Sequence, residues 1–137
     1  MSPIFIDSSG VIALLNRSDP YHEKATQLQA TLKSQRRPRL TTTAVLLELG
    51  DGFARKKRWD LISPFLAAVT ADPLVSLLPV HQVVIERARE FRNARLDKDW
   101  GLTDCVSFLA MSDQGLDEAF TADRHFQQAG FRAVLLE

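Results

Sequence analysis

The chain has 137 residues, 45% of them hydrophobic and 25% charged, with 17 Lys and Arg against 17 Asp and Glu. A chain of this length buries roughly two thirds of its unfolded surface, so one core suffices and a single domain over residues 1–137 is expected. The lone Cys105 excludes an internal disulfide, and charged residues interrupt every apolar run well short of the roughly 20 residues needed to cross a bilayer. The opening Met-Ser-Pro-Ile lacks the basic region and long apolar stretch of a secretory leader, so a cytoplasmic location is expected.

In chain order, Ile4-Phe5-Ile6 is a short apolar run that ends in Asp7. Ser8-Ser9-Gly10 and the apolar stretch to Leu15 follow, which reads as a buried strand turning sharply into a helix. A second helix is expected from about His22 to Ser34, stopped by the basic, Pro-containing Arg36-Arg37-Pro38-Arg39. Leu40-Thr41 reads as a strand before a helix from about Thr43 to Lys57, and Asp72-Pro73 ends another helix. Leu74 to Val80 is a candidate strand, and Val84, Ala88 and Phe91 recur at helical spacing within His81 to Arg95. Thr103 to Met111 reads as a helix with Thr103 as its N-cap. Ala119 to Ala122 and Ala133 to Leu136 are short strand candidates around a helical turn near His125. Strands alternating with helices imply an α/β protein, a three-layer α/β/α sandwich with a central, mostly parallel sheet.

Acidic residues recur where such a sheet builds its sites, outside the carboxyl ends of the strands. Asp7 and Asp123 each follow a strand, and either one alone is also a favoured helix N-cap. Asp104 falls in the first turn of a helix, where the dipole favours an anion even without function. Glu48 sits among Leu46, Leu47 and Leu49 with no Lys or Arg between Arg39 and Arg55. It is expected to be partly buried, which is costly without a counter-charge. Carboxylate oxygens suit Mg²⁺ or Mn²⁺, which retain waters that can become nucleophiles. His22, His81 and His125 are too dispersed for a zinc cluster, and Cys105 reads as a small core residue. With these four carboxylates set aside as metal ligands, 17 cations face 13 anions, a balance of +4 that suits a phosphate backbone.

On these four positions the chain resembles the PIN-domain nucleases, and within them the VapC-type ribonuclease toxins. The segments that carry the resemblance are Phe5-Ile6-Asp7-Ser8-Ser9, Thr41-Thr42-Thr43 through Glu48, Trp100-Gly101-Leu102-Thr103-Asp104 through Phe108, and Phe120-Thr121-Ala122-Asp123 through Phe126. The resemblance implies a PIN-like fold in which Asp7, Glu48, Asp104 and Asp123 ligate one or two Mg²⁺ or Mn²⁺ ions and a metal-activated water cleaves RNA. It makes Ser8, Thr103 and Thr121 candidates for hydrogen bonds that orient those ligands, and it implies a homodimer and a protein antitoxin that blocks the site. Asp97 and Asp99, beside the Trp100 segment, are further acidic residues outside this core set.

Two basic stretches are candidate RNA contacts: Arg55-Lys56-Lys57-Arg58 beside Trp59, and Arg36, Arg37 and Arg39. Three other readings compete with a toxin: a solitary ribonuclease of the same family, an RNA-binding module without catalysis, and an aspartyl-nucleophile phosphotransferase. The last would want an aspartate two residues after Asp7, where Ser9 stands.

Overall fold

The structure, a computed structural model, describes residues 1–137. Its strands are β1 (Ile4–Ile6), β2 (Arg39–Thr42), β3 (Val75–Leu78), β4 (Glu118–Phe120) and β5 (Arg132–Ala133). Its helices are α1 (Ser8–Leu15), α2 (His22–Ser34), α3 (Thr43–Arg55), α4 (Trp59–Ala71), α5 (Gln82–Asn93), α6 (Leu102–Asp113) and α7 (Arg124–Gln128). All strand pairs are parallel, in the order β3-β2-β1-β4-β5. The expected α/β sandwich is therefore present, with a sheet that is wholly parallel.

Two layers of helices follow from the crossovers. Ile6 and Phe120 look toward α1, α2 and α4, while Phe5 meets Phe126 of α7, which packs edge-on against Phe108 of α6 at 5.0 Å. Strands buried on both faces read as continuous apolar runs, and Ile4, Phe5 and Ile6 are all buried. The order reverses between β1 and β4, so the chain has a switch point there, and the carboxyl ends of all the strands open onto one edge.

Glycine at position 10 allows α1 to lie against β4. A Cβ on Gly10 would stand 2.2 Å from the carbonyl oxygen of Phe120, closer than any side chain can approach backbone. The three threonines after Leu40 hold the same edge. Thr41 donates to the carbonyl of Ile6 at 2.8 Å, Thr42 caps α3 by accepting from Val45, and Thr43 accepts from the Val80 amide at 3.0 Å.

Two expectations are corrected. The last strand is only Arg132–Ala133, because β4 offers a short partner, and residues Val134–Leu136 form a 3₁₀ turn. That turn buries Leu135, whose amide donates to Thr121 O. The N-cap of α6 lies two residues earlier than expected, at Gly101, with Thr103 inside the first turn. Its approach is anchored by buried Trp100, whose indole donates to Gln128 and packs edge-on against Phe108.

Candidate active site

Asp7 follows β1 and caps α1, accepting from the Ser9 amide at 3.3 Å. The same oxygen, Oδ2, accepts from the Ser9 hydroxyl at 3.1 Å and from Thr121 at 2.7 Å. Thr121 in turn accepts from the Asp123 amide at 3.0 Å, and Ser9 accepts from the Ala122 amide at 2.9 Å. One hydroxyl pair, 2.7 Å apart, therefore stitches the end of β1 to the end of β4 and sets Asp7 relative to Asp123. Asp7 is 3% exposed, and burial pushes its carboxyl up from 3.8 to about 6, with the charge of Asp104 adding to the rise and the hydrogen bonds opposing it.

Asp104, in the first turn of α6, accepts from the Gly101 amide at 3.2 Å. Burial raises its pKa, and the neighbouring Asp123 raises it further. Asp123 caps α7 by accepting from the His125 amide at 2.9 Å. The imidazole of His125 bridges the two carboxylates, with Nδ1 3.0 Å from Asp104 Oδ2 and 3.4 Å from Asp123 Oδ1. Since a carboxylate only accepts, the proton on the ring belongs on Nδ1. Ligating atoms of Asp104, Asp123 and His125 all lie within 4.8 Å of one another.

Glu48 departs from its expectation, since it is exposed. Val45, Leu49 and Phe53 form the buried stripe of α3, and Glu48 stands about 100° around the helix from Leu49, toward the open edge. Its link to the cluster is Ser8, which donates to Oε1 at 2.5 Å from the residue next to Asp7. Thr103 makes no side-chain hydrogen bond, Asp97 pairs with Lys98, and Asp99 is exposed. Of the three histidines, His22 is tied to the carbonyl of Ala13 and His81 precedes α5. Cys105 is fully buried, and burial pushes its thiol up, away from reactivity.

Sequence reasoning did not assign Ser9 or His125 to the site. Each stands two residues after an aspartate that caps a helix, where its amide meets that carboxylate, and this local spacing is the signal that could have marked them. The two basic stretches part company. Arg37 donates to Glu118 at 2.7 Å and buried Arg39 to Asp72 at 3.1 Å, at the amino edge of the sheet, so Arg37 and Arg39 are committed to structural pairs far from the carboxylates. Arg55, Lys56, Lys57 and Arg58 are exposed, and Arg55, Lys56 and Arg58 line a cavity that reaches Ser8 and Glu48. Trp59, 52% exposed, is no core tryptophan.

The cluster fits a hard divalent cation by its donors. No Lys or Arg lies within ion-pair distance of Asp7, Glu48, Asp104 or Asp123, so the gathered Asp104 and Asp123 have only His125 beside them, and Asp7 and Glu48 have no cationic partner.

Comparison with protein families matches residues 4–132 to the family described as PIN domain. Among solved structures, the chain is similar to the crystal structure of Mycobacterium tuberculosis VapC20, described as a toxin that cleaves the sarcin-ricin loop. The two share 27% identity with a TM-score of 0.84 over 96% of this chain and 98% of that one. No curated protein sequence matches significantly.

Proposed function

The chain belongs to the PIN domain family, and from that premise we propose that it is a Mg²⁺- or Mn²⁺-dependent endoribonuclease, the cytoplasmic toxin of a toxin-antitoxin pair. The observation that carries this reading is the grouping of Asp104, Asp123 and His125 at the switch point of the sheet, with buried Asp7 joined to Asp123 through Thr121 and near enough to feel the charge of Asp104, and with no lysine or arginine counter-charge. The likeness to VapC20 supports RNA as the substrate class and a protein antitoxin as partner, and a homodimer is part of the same proposal.

In this reading Asp7, Asp104 and Asp123 would hold the cation, and Glu48 would complete the site from α3. A bound divalent ion supplies an acidified water and polarises the phosphate. Thr121 and Ser9 fix the oxygen of Asp7 that they share, which leaves its other oxygen for the ligand. Ser8 orients Glu48 in the same way. His125 is a positioning residue that draws Asp104 and Asp123 together through Nδ1–H.

The test is incubation of the purified protein with structured RNA under Mg²⁺, Mn²⁺ or EDTA. Cleavage with either metal and none with EDTA is expected. Cleavage that survives EDTA would overturn the metal mechanism, and metal binding without cleavage of any RNA would favour the non-catalytic module.

A further inference from the structure

Beside Glu48, between α1, α3 and the start of α4, lies a cavity of about 550 Å³, within the size range of small-ligand sites. Its apolar wall is formed by Ile12, Leu49, Phe53 and Leu61, which offers a flat base a dry surface. Its polar lining divides, with donors on Asn16, Arg55, Lys56 and Arg58 and the bonded pair Ser8 and Glu48 at the end beside Asp7. Arg55 and Lys56 have no acidic partner, and Arg58 gives Nε and Nη2 to Asp60, leaving Nη1 free. Asn16 is the most tightly defined of them. Its Oδ1 accepts from the Ser18 amide at 3.1 Å and from the Ser18 hydroxyl at 2.8 Å. A backbone N–H can only donate, so that atom is the oxygen, and the NH₂ group of Asn16 is left without an acceptor.

We propose that this cavity seats one RNA base next to the scissile bond and that Asn16 selects bases rich in carbonyl oxygen, guanine and uracil, over adenine and cytosine. The proposal rests on the ribonuclease reading above and deepens it. Guanine offers O6 and N7 and uracil offers O4 to a donor, whereas adenine and cytosine present an exocyclic NH₂ at the same edge. A donor lining leaves that NH₂ unpaired and desolvated, and such mismatches separate otherwise similar ligands strongly. Of the acceptors at the cavity, Asn16 Oδ1 is taken by Ser18, and Glu48 accepts the Ser8 hydroxyl at Oε1, at the end beside Asp7. The cationic rim suits the phosphates on either side of the base.

The experiment titrates the ¹⁵N-labelled full chain, in EDTA, with the four ribonucleoside 5′-monophosphates and with inorganic phosphate as the probe of charge alone. GMP and UMP are expected to bind about tenfold tighter than AMP and CMP, and to shift the side-chain NH₂ resonance of Asn16. Asn16→Asp keeps the acceptor for Ser18 but puts an oxygen where the NH₂ was, so the order of the four nucleotides should invert. Equal affinities, no binding, or shifts reproduced by phosphate alone would overturn the pocket, and an unchanged order in Asn16→Asp would overturn the role of Asn16. Neither metal nor cleavage enters the measurement. A chain that sorts nucleotides but cuts no RNA sinks the nuclease reading, and a chain that cuts without sorting sinks the pocket alone.

Discussion

The two edges of the sheet treat charge in opposite ways. At the amino edge, Arg37 and Arg132 share Glu118, and Arg39, buried at the start of β2, meets Asp72 at 3.1 Å. At the carboxyl edge, Asp7 is as deeply buried, yet the formal charge that acts on it is that of another carboxylate, Asp104. Buried charges are usually paired because desolvation costs several kcal/mol per ion. An edge that pairs its charges is built for stability, and one that gathers like charges holds free energy that a bound cation would release. Exchanging Asp for Asn should therefore have opposite signs at the two edges, which makes the contrast easy to break.

The largest effect is expected on catalysis. Asp104→Asn should lower RNA cleavage by more than the roughly 10- to 100-fold that loss of an outer partner of a metal ligand costs. Metal-free stability should not fall, because burial and Asp123 already oppose the ionised form of Asp104. Cleavage rates beside thermal melts in EDTA and Mg²⁺ check both halves. Intact activity with equal metal shifts would reduce Asp104 to a helix-terminal residue.

Next in size is the pH dependence of Asp7. Below pH 3.8 the group is protonated folded and unfolded, and it contributes nothing. Between 3.8 and about 6 the folded state holds the proton more tightly, so stability falls as pH rises, and above about 6 the full penalty is present. The gap corresponds to about 3 kcal/mol. In EDTA, Asp7→Asn should thus be more stable than the parent at pH 8 by up to that amount and equal to it near pH 3, as urea unfolding at both values would measure. A constant difference across pH would mean that Asp7 is not held above its ordinary value.

At the other edge, Asp72→Asn should destabilise by about 2 kcal/mol, since it leaves the buried guanidinium of Arg39 without its anion; the half-open setting of Asp72 moderates the figure. A stabilising or neutral result would erase the contrast between the edges. The smallest effect is expected from replacing Arg55, Lys56, Lys57 and Arg58 by Gln. RNA affinity should drop modestly and its salt slope flatten, each lost phosphate contact lowering the slope by roughly 0.7 for single strands. An unchanged slope would remove this segment from the RNA surface.

The sequence by itself determined the elements and the strand-end aspartates. Apolar runs, helical spacing and capping are local properties, so β1, α2, α3 and α6 were legible to within a few residues, as were Asp7, Asp104 and Asp123 at element ends. Tertiary structure decided what those residues meet. Ser9 and Thr121 are 112 positions apart and touch only because β1 pairs with β4 in the register that aligns Ile6 with Phe120. His125 reaches Asp104 across 21 residues because α7 packs on α6. The same placement exposed Glu48, which its apolar neighbours had suggested was partly buried, and drew Arg37 and Arg39 away into ion pairs at the amino edge. Register and crossover are set by the packing of the whole core, a sum over distant side chains that no local window contains.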